Sequence, residues 1–178
     1  MITSSLGAVI ALAILYGATM KIADLLDEHG LHWFRGDKLL FGLLWGIFGI
    51  LLVASRADIA NVILAMVLAY LIRMRLDYFN HVLASTMIIA SFLFFAHFDR
   101  KIFTIFFLTF VIFGGIRDYV GNVRQKNDWL FKVIEPAWYY VIPPAIYALI
   151  TDNWTIFIVL TAYRLAYNIV KYSLEPEP

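Results

Sequence analysis

The sequence contains no cysteine, and its charged residues are few and balanced. Among its 178 residues, 14 are Lys or Arg and 13 are Asp or Glu, so the formal net charge is +1. The lack of cysteine excludes disulfides, cysteine-ligated zinc, iron–sulfur clusters and thiol nucleophiles. A charge this close to zero argues against a nucleic-acid partner. The sequence also lacks a P-loop, a dinucleotide-binding GxGxxG and a serine-nucleophile motif.

Apolar residues fill most of the chain. They account for 62% of it, against 15% charged residues, whereas a soluble domain is near half apolar and about one quarter charged. The mean hydropathy is +0.80, and the 17% of aromatic residues fits the enrichment of Trp and Tyr at bilayer interfaces. A transmembrane helix needs about 20 mostly apolar residues. We therefore predict a single all-α domain over residues 1–178, a polytopic membrane helix bundle with about seven transmembrane helices, or alternatively six.

Seven apolar runs mark the predicted spans. Several are shorter than a full span, and flanking residues, tilt or long basic side chains would complete them. The runs are Leu6–Met20, Leu39–Ser55, Ile59–Ile72, Val82–Ala96, Ile102–Ile116, Val133–Ile150 and Trp154–Val170. The connections that predict tight turns between antiparallel helices are Arg56–Asp58, Phe98–Lys101 and Thr151–Asn153. We expect Pro136, Pro143 and Pro144 to kink or shorten the sixth helix.

Most basic residues lie on one side of this threaded chain, the side of the longer polar connections Lys21–Lys38, Arg73–His81 and Arg117–Lys132. Eleven of the fourteen fall there and three on the other side. The positive-inside rule predicts that this side is cytoplasmic, together with the C-terminal tail Tyr172–Pro178. The alternative is that these basic residues only set the orientation of the chain in the membrane, which would account for many of them. The eleven are Lys21, Arg35, Lys38, Arg73, Arg75, Arg117, Arg124, Lys126, Lys132, Arg164 and Lys171.

Acidic, amide and histidine side chains accompany the basic ones at helical spacing. Lys21, Asp24 and Glu28 recur at i, i+3 and i+7, and therefore share one helical face. The other clusters are Arg73 with Asp77, Asn80 and His81; Arg117 with Asp118 and Asn122; and Arg164 with Asn168 and Lys171. Segments 75–80 and 117–122 look like loose copies of one motif, and chance similarity is the alternative. We expect the four clusters to converge on one site.

The aspartates of these clusters are candidate ligands of Mg²⁺: Asp24, Asp27, Asp77 and Asp118. Magnesium prefers carboxylate oxygens and keeps water and phosphate oxygens as its remaining ligands. Aspartates beside basic residues would therefore bind a magnesium diphosphate. An ionisable group at bilayer depth costs about 2.5 to 3.5 kcal/mol. The alternative interpretation is that the aspartates only pair with intramembrane arginines.

The basic and amide residues are candidate phosphate ligands, and Arg164 is the deepest of them. It precedes Lys171 by seven residues and so lies roughly 10 Å deeper along a helix. Its forked guanidinium suits a phosphate or carboxylate; the alternative is a pair with an aspartate of a neighbouring helix. The predicted substrate-binding residues are Lys21, Arg73, Arg75, Asn80, Arg117, Asn122 and Arg164. The predicted catalytic residues are Asp77, His81 and Asp118.

Other polar and aromatic residues have more general interpretations. The four histidines are candidate metal ligands or proton carriers, but they are too scattered for a histidine-based metal oxidase. The segment Asp27–Lys38 mixes charges with Trp33 and Phe34, which is typical of an interfacial lid or of an ordinary surface loop. The residues interpreted as an aromatic belt at the membrane interface are Trp129, Trp138, Tyr139 and Tyr140.

Two aspartate-containing segments resemble those of UbiA-type intramembrane prenyltransferases. The matching residues are Asp24-Leu-Leu-Asp27 with the polar loop through Lys38, and Asp118-Tyr-Val-Gly-Asn122 with Arg124, Lys126 and Asp128. The resemblance implies an all-helical enzyme in two related halves, whose aspartate motifs at the cytoplasmic helix ends bind an isoprenyl diphosphate through Mg²⁺. This chain is too short for the nine helices usual in that family, and Asn122 stands where the family has an aspartate.

Two functions of different classes follow from the sequence. The first is an integral membrane enzyme that acts on a lipid-linked or isoprenoid diphosphate at the cytoplasmic face, with Mg²⁺-dependent prenyl or lipid transfer. The second is a non-enzymatic membrane protein, either a substrate-binding component of a transporter or a small structural subunit of a larger membrane complex. Membrane lipids are expected partners in both, and other membrane proteins in the second.

Overall fold

The structure, a computed structural model, describes residues 5–123, 129–134 and 136–174, without the side chain of residue 132. Within these ranges the secondary structure is entirely helical, which confirms the predicted all-α class. The α-helices are α1 Leu6–Glu28, α2 Asp37–Ser55, α3 Ala57–Ile72, α4 Phe79–Phe95, α5 Arg100–Val123, α6 Trp129–Ile134, α7 Ile142–Thr151 and α8 Trp154–Leu174. A short 3₁₀ helix, Trp138–Tyr140, lies between α6 and α7.

All three predicted short connections are present, but the one between α4 and α5 spans residues 96–99 instead of Phe98–Lys101, since α5 begins at Arg100. Only Arg56 separates α2 from α3, and its extended backbone reverses the chain. The Arg56 guanidinium donates two hydrogen bonds of 3.0 Å to the Asp58 carboxylate, which fixes this turn. The other two turns lie between α4 and α5 and between α7 and α8.

All three predicted polar connections are partly helical, which corrects their boundaries, and α4 already begins at Phe79 within Arg73–His81. Helix α1 continues to Glu28 and α5 continues to Val123, so the first connection begins at His29. The physical reason is burial: Lys21 and Asp24 are 4% and 7% exposed. Because these side chains face the inside of the bundle, the helix that carries them continues beyond the apolar run.

The sixth predicted span, Val133–Ile150, is not a single helix. Pro136 lacks the N–H that would continue α6, and Ala137 adopts a left-handed conformation with φ of 56°. Pro143 and Pro144 lie in the first turn of α7, where the missing N–H costs nothing. Three described helices, α1, α2 and α5, are long and apolar enough to cross a membrane, and α3 and α4 are shorter apolar helices. The count of seven spans stays a prediction.

Helix α3 lies at the centre of the bundle, with every residue from Ile59 to Val67 buried. It packs most against α5, while α1 packs against α8 and α2, and α2 packs against α4. Helices α1 and α8 approach backbone to backbone, because a Cβ atom at Gly17 would overlap the carbonyl group of Tyr163. Small residues allow this closeness between membrane-type helices.

The bundle has two polar ends. At one end, Asn61 near the start of α3 donates to the His97 carbonyl over 2.9 Å and accepts from the Asp99 N–H over 2.8 Å. The opposite end, here called the site end, gathers the C-terminal parts of α1, α3, α5 and α8 with the start of α4. The predicted functional residues belong to these segments.

Candidate functional site

A cavity of about 220 Å³ opens at the site end, and we call it the basic cavity. Its acidic lining residues are Asp24 and Glu28. Its basic lining residues are Lys21, Arg73, Arg75, Arg117, Arg164 and Lys171. Five of these six belong to the predicted substrate-binding set. The excess of basic over acidic lining residues makes the cavity suited to an anion.

The turn after α3 directs two arginines to the site. Met74 adopts a left-handed conformation with φ of 57°, and the Arg75 N–H donates to the Tyr70 carbonyl over 2.9 Å. This bonding closes a Schellman-type helix end, whose left-handed position usually holds glycine. A non-glycine residue there is costly, so the tertiary contacts of Arg73 and Arg75 must hold the turn in place.

Asp118 of α5 binds both of these arginines. Its Oδ2 accepts hydrogen bonds from Arg73 Nε and Nη2 over 2.9 and 2.7 Å, and its Oδ1 accepts one from Arg75 Nη2 over 2.7 Å. The bond to Asp118 raises the pKa of Arg75 above its ordinary value, so Arg75 stays charged. Gly114 leaves space for the Arg73 guanidinium, which any Cβ atom at that position would overlap. Asp118 is therefore a partner of arginines in this structure.

Arg164 is buried in the wall of the basic cavity. Its Nε donates to the Pro136 carbonyl over 3.0 Å, so the proline that interrupts the sixth run also supplies an acceptor to the site. The guanidinium lies over the rings of Tyr167 and Tyr140, 4.8 and 5.8 Å from their centroids. Such cation–π contacts hold a desolvated cation in place.

Asp24 of α1 joins the site to α4 and α8. Its Oδ2 accepts a hydrogen bond of 2.8 Å from the Tyr167 hydroxyl, and its Oδ1 lies 3.0 Å from His81 Nε2. The other ring nitrogen of His81 lies 3.6 Å from Asp77 Oδ1. A buried carboxylate, an imidazole and a phenol thus meet at one edge of the basic cavity.

The sequence analysis missed the tyrosines of the site. Tyr139 and Tyr140 are 7% and 2% exposed, so assigning them to an aromatic belt was wrong, whereas Trp129 and Trp138 are exposed. The tyrosines that line the basic cavity are Tyr70, Tyr139, Tyr140, Tyr163 and Tyr167. The spacing of Tyr163, Tyr167 and Lys171 by four residues around Arg164 was the available signal in the sequence, because it places them on one helical face.

A second cavity of about 220 Å³ lies beside the first, and we call it the rim cavity. It shares Arg75, Arg117 and Lys171 with the basic cavity. Its other polar lining residues are Asp118 and Asn122 of α5. Among the predicted substrate-binding residues, Asn122 therefore belongs to the rim cavity alone.

Three predicted site residues line neither cavity. Asp27 pairs with Lys38 over 3.0 Å, and the side chain of Asp77 is 55% exposed. Asn80 is buried and donates to the Ala23 carbonyl over 3.2 Å, which links α4 to α1. In the described part of the chain, no three Asp, Glu or His side chains form a group that would hold a metal ion. Of the four aspartates of the predicted magnesium site, Asp24 and Asp77 share the neighbour His81, whereas Asp27 and Asp118 pair with basic residues elsewhere.

Several predicted features lie outside the described residues. These are Arg124, Lys126, Asp128, the side chain of Lys132 and the last residues of the C-terminal tail. The second motif of the family resemblance is therefore described only through Asn122. The first continues into a loop where Asp37 accepts hydrogen bonds from the Trp33 and Phe34 N–H groups over 2.7 and 3.3 Å.

No protein-family model, curated protein or solved structure matches this chain. The assignment of a function therefore depends on the site itself. That site is a basic, tyrosine-lined cavity at one end of an α-helical bundle, with more basic than acidic lining residues.

Proposed function

We propose that this chain is an integral membrane enzyme that binds the diphosphate of a lipid-linked or isoprenoid substrate in the basic cavity and transfers its prenyl or lipid group. The observation that carries the proposal is the lining of that cavity, in which six basic residues meet at one end of an apolar bundle. Asp24 and Glu28 lie in the same lining and Asp118 binds Arg73 and Arg75, so the basic residues still outnumber the carboxylates, and a diphosphate would offset that excess.

The outer surface of the bundle supports a membrane location. Monomeric soluble proteins rarely expose large contiguous apolar patches. Large apolar side chains on α4 and α7 are 72% to 82% exposed, namely Phe79, Leu93, Phe94, Leu149 and Ile150. Irregular backbone at membrane depth must be covered by protein or line a cavity. The break in the sixth run meets this condition, since Ala137 and Tyr140 are buried.

Catalysis in this proposal is electrostatic. When the bond to the diphosphate breaks, negative charge grows on the leaving group, and preorganised guanidinium and ammonium groups stabilise it. Arg164 is held in advance by Pro136 and two rings, so little reorganisation is needed. Tyr167 and His81 contact Asp24 and would hold its carboxylate in place at the cavity edge. Asp118 takes a structural role, since Arg73 and Arg75 occupy its oxygens.

In this proposal, Mg²⁺ would bind the two carboxylates that line the basic cavity. Protein Mg²⁺ sites commonly combine one or two carboxylates with substrate phosphates. Asp24 and Glu28 lie one helical turn apart and both line the cavity, whereas Asp27, Asp77 and Asp118 do not. Mg²⁺ bound there would neutralise part of the charge of the diphosphate.

The topological part of the proposal places the site end and the C-terminus in the cytoplasm. A reporter enzyme that is active only in the cytoplasm, fused after Pro178, is expected to be active. The matched control is the same fusion of a reporter active only outside the cytoplasm, which should be silent. The reverse pattern would contradict the assignment of the site end to the cytoplasmic face.

The binding part is tested by melting curves of the purified chain in detergent. Farnesyl diphosphate is expected to raise the melting temperature, because a ligand that binds only the folded state stabilises it by mass action, about 2.7 kcal/mol at one hundred times Kd. Farnesol, which lacks the diphosphate, is the control and should give no shift. Repeating the titration with Mg²⁺ and with EDTA measures the contribution of the metal.

Turnover is measured separately, as release of pyrophosphate in the presence of membrane lipid extract. Binding without release would favour the non-enzymatic alternative, a binding component of a transporter. No shift with farnesyl diphosphate would overturn the proposal of an isoprenoid diphosphate site. Comparing the lipids of cells with and without this chain then shows which lipid changes, without a guess at the substrate.

A further inference from the structure

A third cavity, of about 400 Å³, lies between the loop that joins α1 to α2 and the start of α4, and we call it the interfacial groove. The basic and apolar side chains that line it are His32, Arg35, Lys38, Leu39 and Phe79. Of the segment Asp27–Lys38, only Glu28 and His29 line the basic cavity. The interfacial groove is therefore a separate feature of the site end.

Hydrogen bonds and a ring contact hold the loop of the interfacial groove in place. The carboxylate of Asp37, a residue that is 1% exposed, accepts hydrogen bonds from the N–H groups of Trp33, Phe34 and Lys38 over 2.7, 3.3 and 2.8 Å. The ring of Trp33 meets that of Phe41 on α2 edge to face, with 5.5 Å between the centroids. The folded chain therefore presents the groove in a defined shape.

Both carboxylates that line the interfacial groove have partners within it. Asp27 pairs with Lys38 over 3.0 Å, and Asp37 Oδ2 lies 3.0 Å from His32 Nδ1. The remaining charged side chain is Arg35, which is exposed and forms no ion pair with any residue that the structure describes. Because the carboxylates are occupied, the guanidinium of Arg35 is free to bind an anion from outside the chain.

Apolar and aromatic side chains surround this cation. Leu39 and Phe79 in the groove are 48% and 73% exposed, and Trp33 and Phe34 of the loop are 45% and 46% exposed. Trp and Phe beside a basic residue are typical of a segment at the boundary between lipid and water. A soluble anion would leave Leu39 and Phe79 uncovered, whereas a phospholipid supplies both a phosphate for the arginine and acyl chains for the apolar side chains.

We propose that the interfacial groove binds an anionic glycerophospholipid, with its phosphate on Arg35 and an acyl chain across Leu39 and Phe79. This goes beyond the proposed function and takes from it only the location of the site end at the cytoplasmic membrane face, where the anionic lipids lie. It involves neither the diphosphate nor Mg²⁺. The bound lipid would anchor the loop, and with it the end of α1, at the membrane surface.

The test measures fluorescence quenching of Trp33 by lipids brominated in the upper part of the acyl chain, with the full chain in phosphatidylcholine nanodiscs. The signal of Trp33 is the difference between wild type and Trp33→Phe. Brominated phosphatidylglycerol should reach half-maximal quenching at an about fivefold lower mole fraction than brominated phosphatidylcholine, which corresponds to about 1 kcal/mol for one basic residue at an anionic lipid surface. Arg35→Gln, compared with the double variant Arg35→Gln, Trp33→Phe, should lose this preference and melt like wild type.

Arg100→Gln is the matched control, because it removes an exposed arginine at the opposite end of the bundle, and it should keep the preference. The inference is overturned if neither lipid quenches Trp33, or if the two lipids quench it equally in wild type. A preference that persists in Arg35→Gln, or that Arg100→Gln abolishes to the same extent, would also contradict it. Farnesyl diphosphate is absent throughout, so a failure of the proposed function leaves this result unaffected.

Discussion

Asp118→Asn is expected to lower the free energy of unfolding by about 3 kcal/mol, because it leaves the Arg73 guanidinium buried without its counter-charge. The side chain of Arg73 is 7% exposed, against 45% for Arg75. Exposed ion pairs contribute about 0 to 1 kcal/mol, so most of the loss comes from Arg73. In a melting experiment this corresponds to a decrease of roughly 6 to 12 °C for a chain of this size.

Asp77→Asn is the matched control for this prediction. The Asp77 carboxylate is half exposed and lies 3.6 Å from His81 Nδ1, so its loss should change stability by no more than about 0.5 kcal/mol. The double variant Arg73→Met, Asp118→Leu should recover most of the stability, since a buried ion pair is replaceable by apolar groups. If Asp118→Asn is instead as stable as wild type and loses only the magnesium-dependent shift with farnesyl diphosphate, Asp118 is a metal ligand and the structural role assigned to it is wrong.

Arg164→Gln is expected to weaken the binding of farnesyl diphosphate by about 10- to 100-fold, since a hydrogen bond to a charged group contributes about 1.5 to 3 kcal/mol. Arg164→Lys keeps the charge but loses the forked geometry, so it should fall between wild type and Arg164→Gln. The measurement is the dissociation constant in detergent, from titration of the melting shift or from calorimetry. Arg100→Gln, at the opposite end of the bundle, should bind like wild type.

Arg164 also stabilises the fold, and the two effects are separable. Losing the bond to the Pro136 carbonyl costs about 1 kcal/mol, and losing the contacts with Tyr140 and Tyr167 costs about 0.5 to 2 kcal/mol. Arg164→Gln should therefore melt at a lower temperature even without ligand. If it melts lower but binds farnesyl diphosphate with the wild-type dissociation constant, Arg164 has a structural role only, and the basic cavity does not bind the diphosphate through it.

The clustering of the basic residues at one end could be predicted from the pattern of apolar runs along the sequence. Lys21, Arg73, Arg117 and Arg164 are separated by 44 to 52 positions in the sequence, yet the alternation of apolar runs with tight turns placed them all at one end, and they line one cavity. Antiparallel helices of similar length bring every second connection to the same side. Predicting that these four basic residues share one end needed no knowledge of how the helices pack, whereas Asp77 and Asn80 of the second cluster line neither the basic cavity nor the rim cavity.

The contacts that each side chain makes could not be predicted from the sequence. Asp24 and Asp118 have similar sequence surroundings, a basic residue on a helical face near the end of an apolar run. In the structure, one lies between Tyr167 and His81 and the other between two arginines. The difference arises from which helices are neighbours, and a single sequence carries no information on that order. The prediction of a magnesium site grouped the aspartates by their sequence surroundings alone, without the order of neighbouring helices that decides their contacts.

What the sequence determined by itself is the helical class, the tight turns and the end of the bundle at which the polar residues gather, because hydrophobic periodicity and the length of each connection are local properties. Only the tertiary structure decided that the sixth run breaks into α6, a 3₁₀ helix and α7, and that Tyr139 and Tyr140 turn inward to the cavity. Prolines predict a break but not its direction. The direction follows from long-range contacts, such as the bond from Arg164 to Pro136, that exist only when α8 lies beside the break.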